Sequence, residues 1–320
     1  MYLNGIHHVT AVSSKIADNL AFYTDVLGLR LVKKSVNQDD LSAYHLFYAD
    51  KHGTPGTDMT FFDWPRIGPE RRGTDSISGT GFRVASKEAL SFWMKRFDDL
   101  SVKRGEITHF AGRELLPFED QEGQRLALVN DQGADFEGEI WPHPEIPLEH
   151  AVRGFYSVVI SVSELAEVEE FFTSLLGFTK LTKEQWIDGS SSGVIFSTTP
   201  KGGPGTEIWT LEQPELPIAR LGAGGVHHLA FRVRDAEEQL MWLQQVREAG
   251  FPVSQQIDRF WFKSIYFRLP NNILFEIATD GPGFAIDEDP ESLGEKLVLP
   301  PFLEDKRAEI ERGLEPIRGG

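Results

Sequence analysis

An internal repeat constrains this chain more than any other feature. Residues 20–28 read Leu-Ala-Phe-Tyr-Thr-Asp-Val-Leu-Gly and residues 169–177 read Glu-Glu-Phe-Phe-Thr-Ser-Leu-Leu-Gly, so Gly28 and Gly177 stand 149 positions apart. The same spacing carries Pro55-Gly56-Thr57-Asp58 onto Pro204-Gly205-Thr206-Glu207, and Phe82-Arg83-Val84 onto Phe231-Arg232-Val233. Three separated matches at one offset define two homologous halves, so whatever one half folds into must also serve the other. We place an N-terminal half at 1–149, a C-terminal half at 150–288 and a tail at 289–320.

Each half divides again. In the first module a period-2 run, Ile6 to Val12, precedes an amphipathic helix carrying Ile16, Leu20, Tyr23 and Leu27 on one face, with Gly28 as its C-cap. Strand-like runs follow at 29–34, 43–48 and 58–63. The second module repeats the order with a helix over 87–100, and the third with a helix over 165–176. The fourth module's helix starts at Asp235, with Glu238 three residues on, and ends at Gly250. Pro/Gly-rich linkers separate the modules, and the acidic tail ends in a helical run over 303–314. The expected class is α+β: four βαβββ modules, two in each half, pairing into two open, barrel-like units.

Composition narrows the partners. The formal net charge of −17 disfavours nucleic acid and anionic lipid. No apolar run approaches the ~20 residues of a membrane span, and the start, Met1-Tyr2-Leu3-Asn4-Gly5, does not read as a signal peptide. There is no cysteine, which removes thiolate chemistry and suits a reducing compartment. The expectation is a cytoplasmic protein acting on a small molecule, with no nucleic-acid or membrane partner; a homo-oligomer is left open.

Two histidine doublets and one carboxylate carry the chemistry. His7-His8 opens the first strand of the first module, and His227-His228 opens the corresponding strand of the fourth. Glu276 interrupts the apolar strand Leu274-Phe275-Glu276-Ile277. Side chains alternate along a strand. Leu229, Phe231 and Val233 share a face with His227, which leaves His228 on the concave side. The same parity groups Ile6, Thr10 and Val12 with His8, and puts Tyr266 in the cup with Ser264 and Arg268. Stepping by 149 from His228 and His8 reaches Gly79 and Ser157, and the stretch matching Glu276 is Arg125-Leu126-Ala127-Leu128. One metal site, built by the first and fourth modules from His8, His228 and Glu276, accounts for all three. Two imidazoles, one carboxylate and open positions are the set expected of non-haem Fe(II) oxygenases. The plainer alternative is a pair of hydrogen-bonded strand histidines and an edge glutamate. His45, His52, His109, His143 and His150 read as surface or loop residues, Pro55-Gly56-Thr57 and its repeat as turns, and Phe260-Trp261-Phe262 as core or cup wall.

With these motifs in hand, the chain resembles the vicinal-oxygen-chelate superfamily of glyoxalases, bleomycin-resistance proteins and extradiol dioxygenases. Gly-Ile-His-His-Val-Thr, Gly-Val-His-His-Leu-Ala-Phe and Leu-Phe-Glu-Ile-Ala-Thr-Asp-Gly-Pro-Gly-Phe resemble its hydroquinone ring-cleaving branch over nearly the whole length. The resemblance implies Fe(II), with Mn(II) as the alternative, on His8, His228 and Glu276. It implies His227, Tyr266 and Arg259 as catalytic groups, and His7, Thr10, Arg259 and Tyr266 around the substrate, a small aromatic diol that reacts with O2. Ser157, where common catechol-cleaving relatives take their first histidine, points to the hydroquinone branch. The competing readings are a glyoxalase-like metal-dependent isomerase or lyase, which would want a fourth protein ligand, and a non-catalytic protein that binds aromatic compounds.

Overall fold

A computed structural model describes residues 1–110, 112–185 and 192–317. The first module contains β1 (Ile6–Ser13), α1 (Ile16–Ala21), β2 (Arg30–Asn37), β3 (Asp40–Ala49) and β4 (Asp58–Asp63). The second contains β5 (Ser76–Val84), α2 (Lys87–Asp99), β6 (Thr108–Phe110), β7 (Arg113–Glu119) and β8 (Arg125–Asn130). The third contains β9 (Phe155–Val162), α3 (Leu165–Glu170), β10 (Thr179–Gln185), β11 (Ser192–Ser197) and β12 (Glu207–Glu212). The fourth contains β13 (Val226–Val233), α4 (Ala236–Glu248), β14 (Ile257–Asp258), β15 (Lys263–Arg268) and β16 (Leu274–Thr279). In the tail, a 3-10 turn over Pro301–Lys306 leads into α5 (Arg307–Gly313).

The strands form two eight-stranded sheets, in the orders β14-β15-β16-β13-β1-β4-β3-β2 and β10-β11-β12-β9-β5-β8-β7-β6. Each sheet therefore joins one module from each sequence half: the first with the fourth, and the second with the third. Within both sheets the two modules meet along their first strands, β1 against β13 and β5 against β9, in antiparallel register. Glycines let the two sheets approach. Gly5 has φ +102°, and a Cβ there would lie 2.6 Å from the Gly205 carbonyl oxygen. The repeat-related pair, Gly154 (φ +103°) and the Gly56 carbonyl oxygen, would be 2.8 Å apart. The two Pro-Gly-Thr turns thus sit at the symmetric junction of the halves, where only glycine fits opposite them.

Helices cover the outer faces, and a continuous apolar core runs beneath them. It includes Val9, Tyr23, Trp93, Phe172, Phe231 and Trp242, all buried. The first and third helices depart from the regular helix that periodicity suggests. Each is one short α-helical stretch followed by a wider π-turn, Phe22–Val26 and Phe171–Leu175. The wider turn buries two adjacent aromatics in each module, Phe22 with Tyr23 and Phe171 with Phe172. The tail packs back onto the chain, burying Leu299, Leu303, Ile310 and Leu314 in the main core. Lys33, fully buried on β2, is held there by the Phe284 carbonyl, Asp287 and Glu288. No helix among the described residues is long and apolar enough to cross a membrane.

Candidate metal centre

The concave face of the first sheet brings His8, His228 and Glu276 together. One donor atom from each lies within 4.8 Å of the others, and all three residues are buried. Strand register sets this up. Ala230 on β13 pairs with His8 on β1 and with Glu276 on β16, so the two ligands flank one small residue. His228 pairs with Thr10, two residues along. A register shift between Ile6 and His8 corrects the simple alternation expected for β1. Ile6, assigned by parity to the cup, packs in the main core with Val9 and Ala11 instead. Bulges of this kind re-aim side chains beside functional sites.

The second ring nitrogens fix which atoms face inward. His7 Nε2–H donates to the Thr279 carbonyl at 3.1 Å, and His7 Nδ1 lies 2.9 Å from His8 Nδ1. Burial, then the neighbouring His8, pushes the His7 pKa down to about 3, so the ring is neutral at ordinary pH. A neutral imidazole that donates from Nε2 can only accept at Nδ1. His8 must then donate from Nδ1, leaving a lone pair on Nε2. The fourth module repeats the contact between ring nitrogens, with His227 Nδ1 2.7 Å from His228 Nδ1. The doublets are therefore a ligand and the group that orients it, the usual support for metal-bound histidine.

Three electron-rich atoms consequently converge. Glu276 Oε2 is 3.0 Å from His228 Nε2 and 3.3 Å from His8 Nε2, and the two nitrogens are 3.3 Å apart. Oε2 is buried and makes no aligned hydrogen bond among the described residues, whereas Oε1 accepts from Ser264 Oγ at 2.5 Å. Burial alone would push the Glu276 carboxyl up; the adjoining His8 and His228 rings outweigh it and hold the group well below its ordinary value. A divalent cation among these atoms satisfies the unpartnered oxygen and both lone pairs, so the donor set fits a metal.

His8, His228 and Glu276 line a cavity of about 40 Å³, together with Phe47, Phe62, Trp261, Phe262, Tyr266, Arg259 and the β2–β3 turn at Asn37–Asp39. Tyr266 stands next to Glu276 in the register, and its hydroxyl pKa is raised by burial. The Arg259 guanidinium lies 5.5 Å from the Tyr266 ring centre and bridges to Asp39 at 2.8 Å. Gln38 Nε2 donates to the Arg259 carbonyl, so the first and fourth modules clasp each other at the mouth.

The other expected site residues lie behind this lining. His7 and Thr10 are buried next to the ligands rather than on the cavity wall, with Thr10 Oγ1 2.8 Å from Thr60 Oγ1. His227 packs against Phe62 and Trp64, and burial, then His228, moves its pKa down to about 3 instead of the ordinary value expected of a proton carrier. Arg268 turns out to the Asn272 carbonyl and leaves the cup. His45, read from sequence as a surface or loop residue, lines the cavity, with Nε2 2.9 Å from Thr60 Oγ1. Asp39 and Gln38 were also missed, because a polar turn carries no periodic signal.

The second sheet keeps this register without the ligands. Gly81 pairs with Ser157 and with Ala127, as Ala230 pairs with His8 and Glu276. Comparisons with known proteins agree with the architecture. The chain belongs to the glyoxalase/bleomycin resistance protein/dioxygenase superfamily, whose model matches residues 5–128 and 154–285. It is 46% identical to MhqA, a proposed ring-cleaving dioxygenase of Bacillus subtilis (strain 168), over 99% of this chain and 100% of that one. It is 30% identical to the chlorohydroquinone/hydroquinone 1,2-dioxygenase of Sphingobium indicum, over 98% of this chain and 97% of that one. A crystal structure of a proposed dioxygenase from Bacillus subtilis superposes with a TM-score of 0.91 at 36% identity, covering 100% of this chain and 99% of that one. Glyoxalase I of Zea mays, at 13% identity and a TM-score of 0.63 over 86% of this chain and 92% of that one, shares the fold.

Proposed function

We propose that the chain is an Fe(II)-dependent, extradiol-type ring-cleaving dioxygenase that acts on a hydroquinone-type ring with O2. The observation that carries this reading is the convergence of His8 Nε2, His228 Nε2 and Glu276 Oε2 inside an aromatic-walled cavity. Full-length similarity to proteins named as ring-cleaving dioxygenases, one of them for hydroquinones, supports it. His8, His228 and Glu276 hold the iron as a two-histidine, one-carboxylate set with Mn(II) as the alternative ion. Iron held by these three residues would supply Lewis acidity and a redox-active centre for the reaction of a diphenol with O2. In a para-diol no bond joins two hydroxyl-bearing carbons, so cleavage falls beside a single one.

The protein's own groups do the rest. Neutral Tyr266 donates a hydrogen bond toward oxygen at the ligand cluster. Arg259 supplies fixed positive charge as the ring becomes anionic. His227 and His7, both neutral, hold the ligand rings. Phe47, Phe62, Trp261 and Phe262 exclude water. Ring entry requires the mouth to open, since about 40 Å³ holds little more than water. The Asp39–Arg259 pair suits that role: Arg259 is only 14% exposed but Asp39 is 73% exposed, so water reaches the pair from the Asp39 side and screens it. Oxygen uptake by the Fe(II)-loaded protein, with hydroquinone and catechol compared, tests the reading. Faster uptake with hydroquinone is expected; no uptake with any diphenol would remove it.

A further inference from the structure

His45 projects into the same cavity from β3, two strands away from the β1 ligand His8. At about 4.8 Å per strand, β3 lies about 10 Å from β1. Its ring is held on three sides. The Phe47 and Phe62 ring centres lie 4.0 and 4.5 Å from its own, and Nε2 is 2.9 Å from Thr60 Oγ1. Thr60 Oγ1 is in turn 2.8 Å from Thr10 Oγ1, so a buried three-residue chain fixes the ring's orientation. Among the described residues no group hydrogen-bonds Nδ1, while the residue itself lines the cavity. A polar nitrogen on an aromatic wall, rigidly backed and without a partner, is built to receive one more polar atom.

The geometry points to a specific role: we infer that His45 Nδ1 binds the second hydroxyl of a para-diol, the oxygen that cannot reach the ligand cluster. This rests on the diphenol reading above. An ortho-diol places both oxygens on one side of the ring and leaves His45 unused. A para-diol places its second oxygen on the far side of the ring from the ligand cluster, where a second polar wall group is needed. Burial pushes the His45 pKa well below its ordinary value, so the neutral ring accepts from a hydroxyl at Nδ1 when Nε2 donates to Thr60, and donates from Nδ1 when Nε2 accepts. His45 is then a specificity-determining residue rather than a metal ligand, and Thr60 and Thr10 position it.

The test uses the full chain loaded with Mn(II) under anaerobic conditions. Calorimetry compares hydroquinone with 4-methylphenol, which replaces the far hydroxyl by a methyl group. The native protein should favour hydroquinone by about 10- to 100-fold, the usual consequence of leaving one buried polar group unpaired. His45→Phe should bring the ratio to within a few-fold with metal content unchanged, and His45→Gln should restore part of it. In Fe(II)-dependent turnover the same variants should raise KM for hydroquinone more than they lower kcat. A native preference that survives intact in metal-replete His45→Phe and His45→Gln overturns the assignment and leaves the diphenol reading standing. A native protein that binds neither compound overturns both.

Discussion

Replacing His7 by leucine separates two roles that sequence similarity merges. As a substrate-binding residue, His7 would act on KM. In the structure it stands behind His8, accepting from His8 Nδ1–H at 2.9 Å and donating to the Thr279 carbonyl at 3.1 Å. His7→Leu keeps all three proposed ligands but frees the His8 ring to turn and to change tautomer. Loss of such a supporting partner typically weakens metal binding by about 10- to 100-fold, or about 1.4–2.7 kcal/mol. The metal-free protein should also lose stability, because His8 Nδ1–H and the Thr279 carbonyl are left buried and unpaired at about 1–3 kcal/mol each. Chelator competition with Mn(II) measures the first effect, and urea unfolding of the metal-free chain measures the second. Unchanged metal affinity with a raised KM for hydroquinone would refute the reasoning and return His7 to the substrate.

Three further outcomes follow from the same geometry. Tyr266→Phe should keep the metal and slow hydroquinone cleavage by about 100-fold, the scale for removing one aligned donor; unchanged turnover at matched metal content would exclude it. Arg259→Ala should lower kcat and raise KM together, since the guanidinium both closes the mouth and faces the ring; an effect on KM alone would confine it to the mouth. Stability of the metal-free chain should depend on pH through His7 and His227. Their folded pKa values, about 3, lie below the ordinary histidine value, so the unfolded chain binds more protons between about pH 6.5 and 3. Stability should therefore be full above that window and fall as pH drops through it, by at most about 1.4 kcal/mol per pH unit for each residue. Urea midpoints at several pH values, with a flatter slope in His7→Leu, check this; pH-independent midpoints would contradict it.

Much of the fold was legible because the repeat made every local pattern appear twice. A helix ending at a glycine 149 positions from another such glycine is hard to mistake, and the missing ligands at Gly79, Ser157 and Ala127 marked which modules carry the cluster. Parity alone was less secure. It misplaced Ile6, because a bulge lies between Ile6 and His8, and bulges leave no mark in a hydrophobic pattern. Neither did the sequence reveal that consecutive aromatics such as Phe22 and Tyr23 would both be buried by a π-turn. His45 was overlooked for a different reason: it has no doublet beside it and no carboxylate near it in sequence. A signal did exist. Phe62 pairs with His45, its repeat partner Leu211 pairs with Gly193, and the loss of a histidine at that register position parallels the loss of the ligands.

The central claim is that His8, His228 and Glu276 hold one catalytic iron. Its most direct test is the iron content of protein reconstituted anaerobically with Fe(II), for the native chain and for His8→Ala, His228→Ala and Glu276→Ala. About one iron per native chain and little in any variant is expected, with each variant still folded by circular dichroism because the four modules share a core that does not need the metal. Full iron occupancy in all three variants would contradict it.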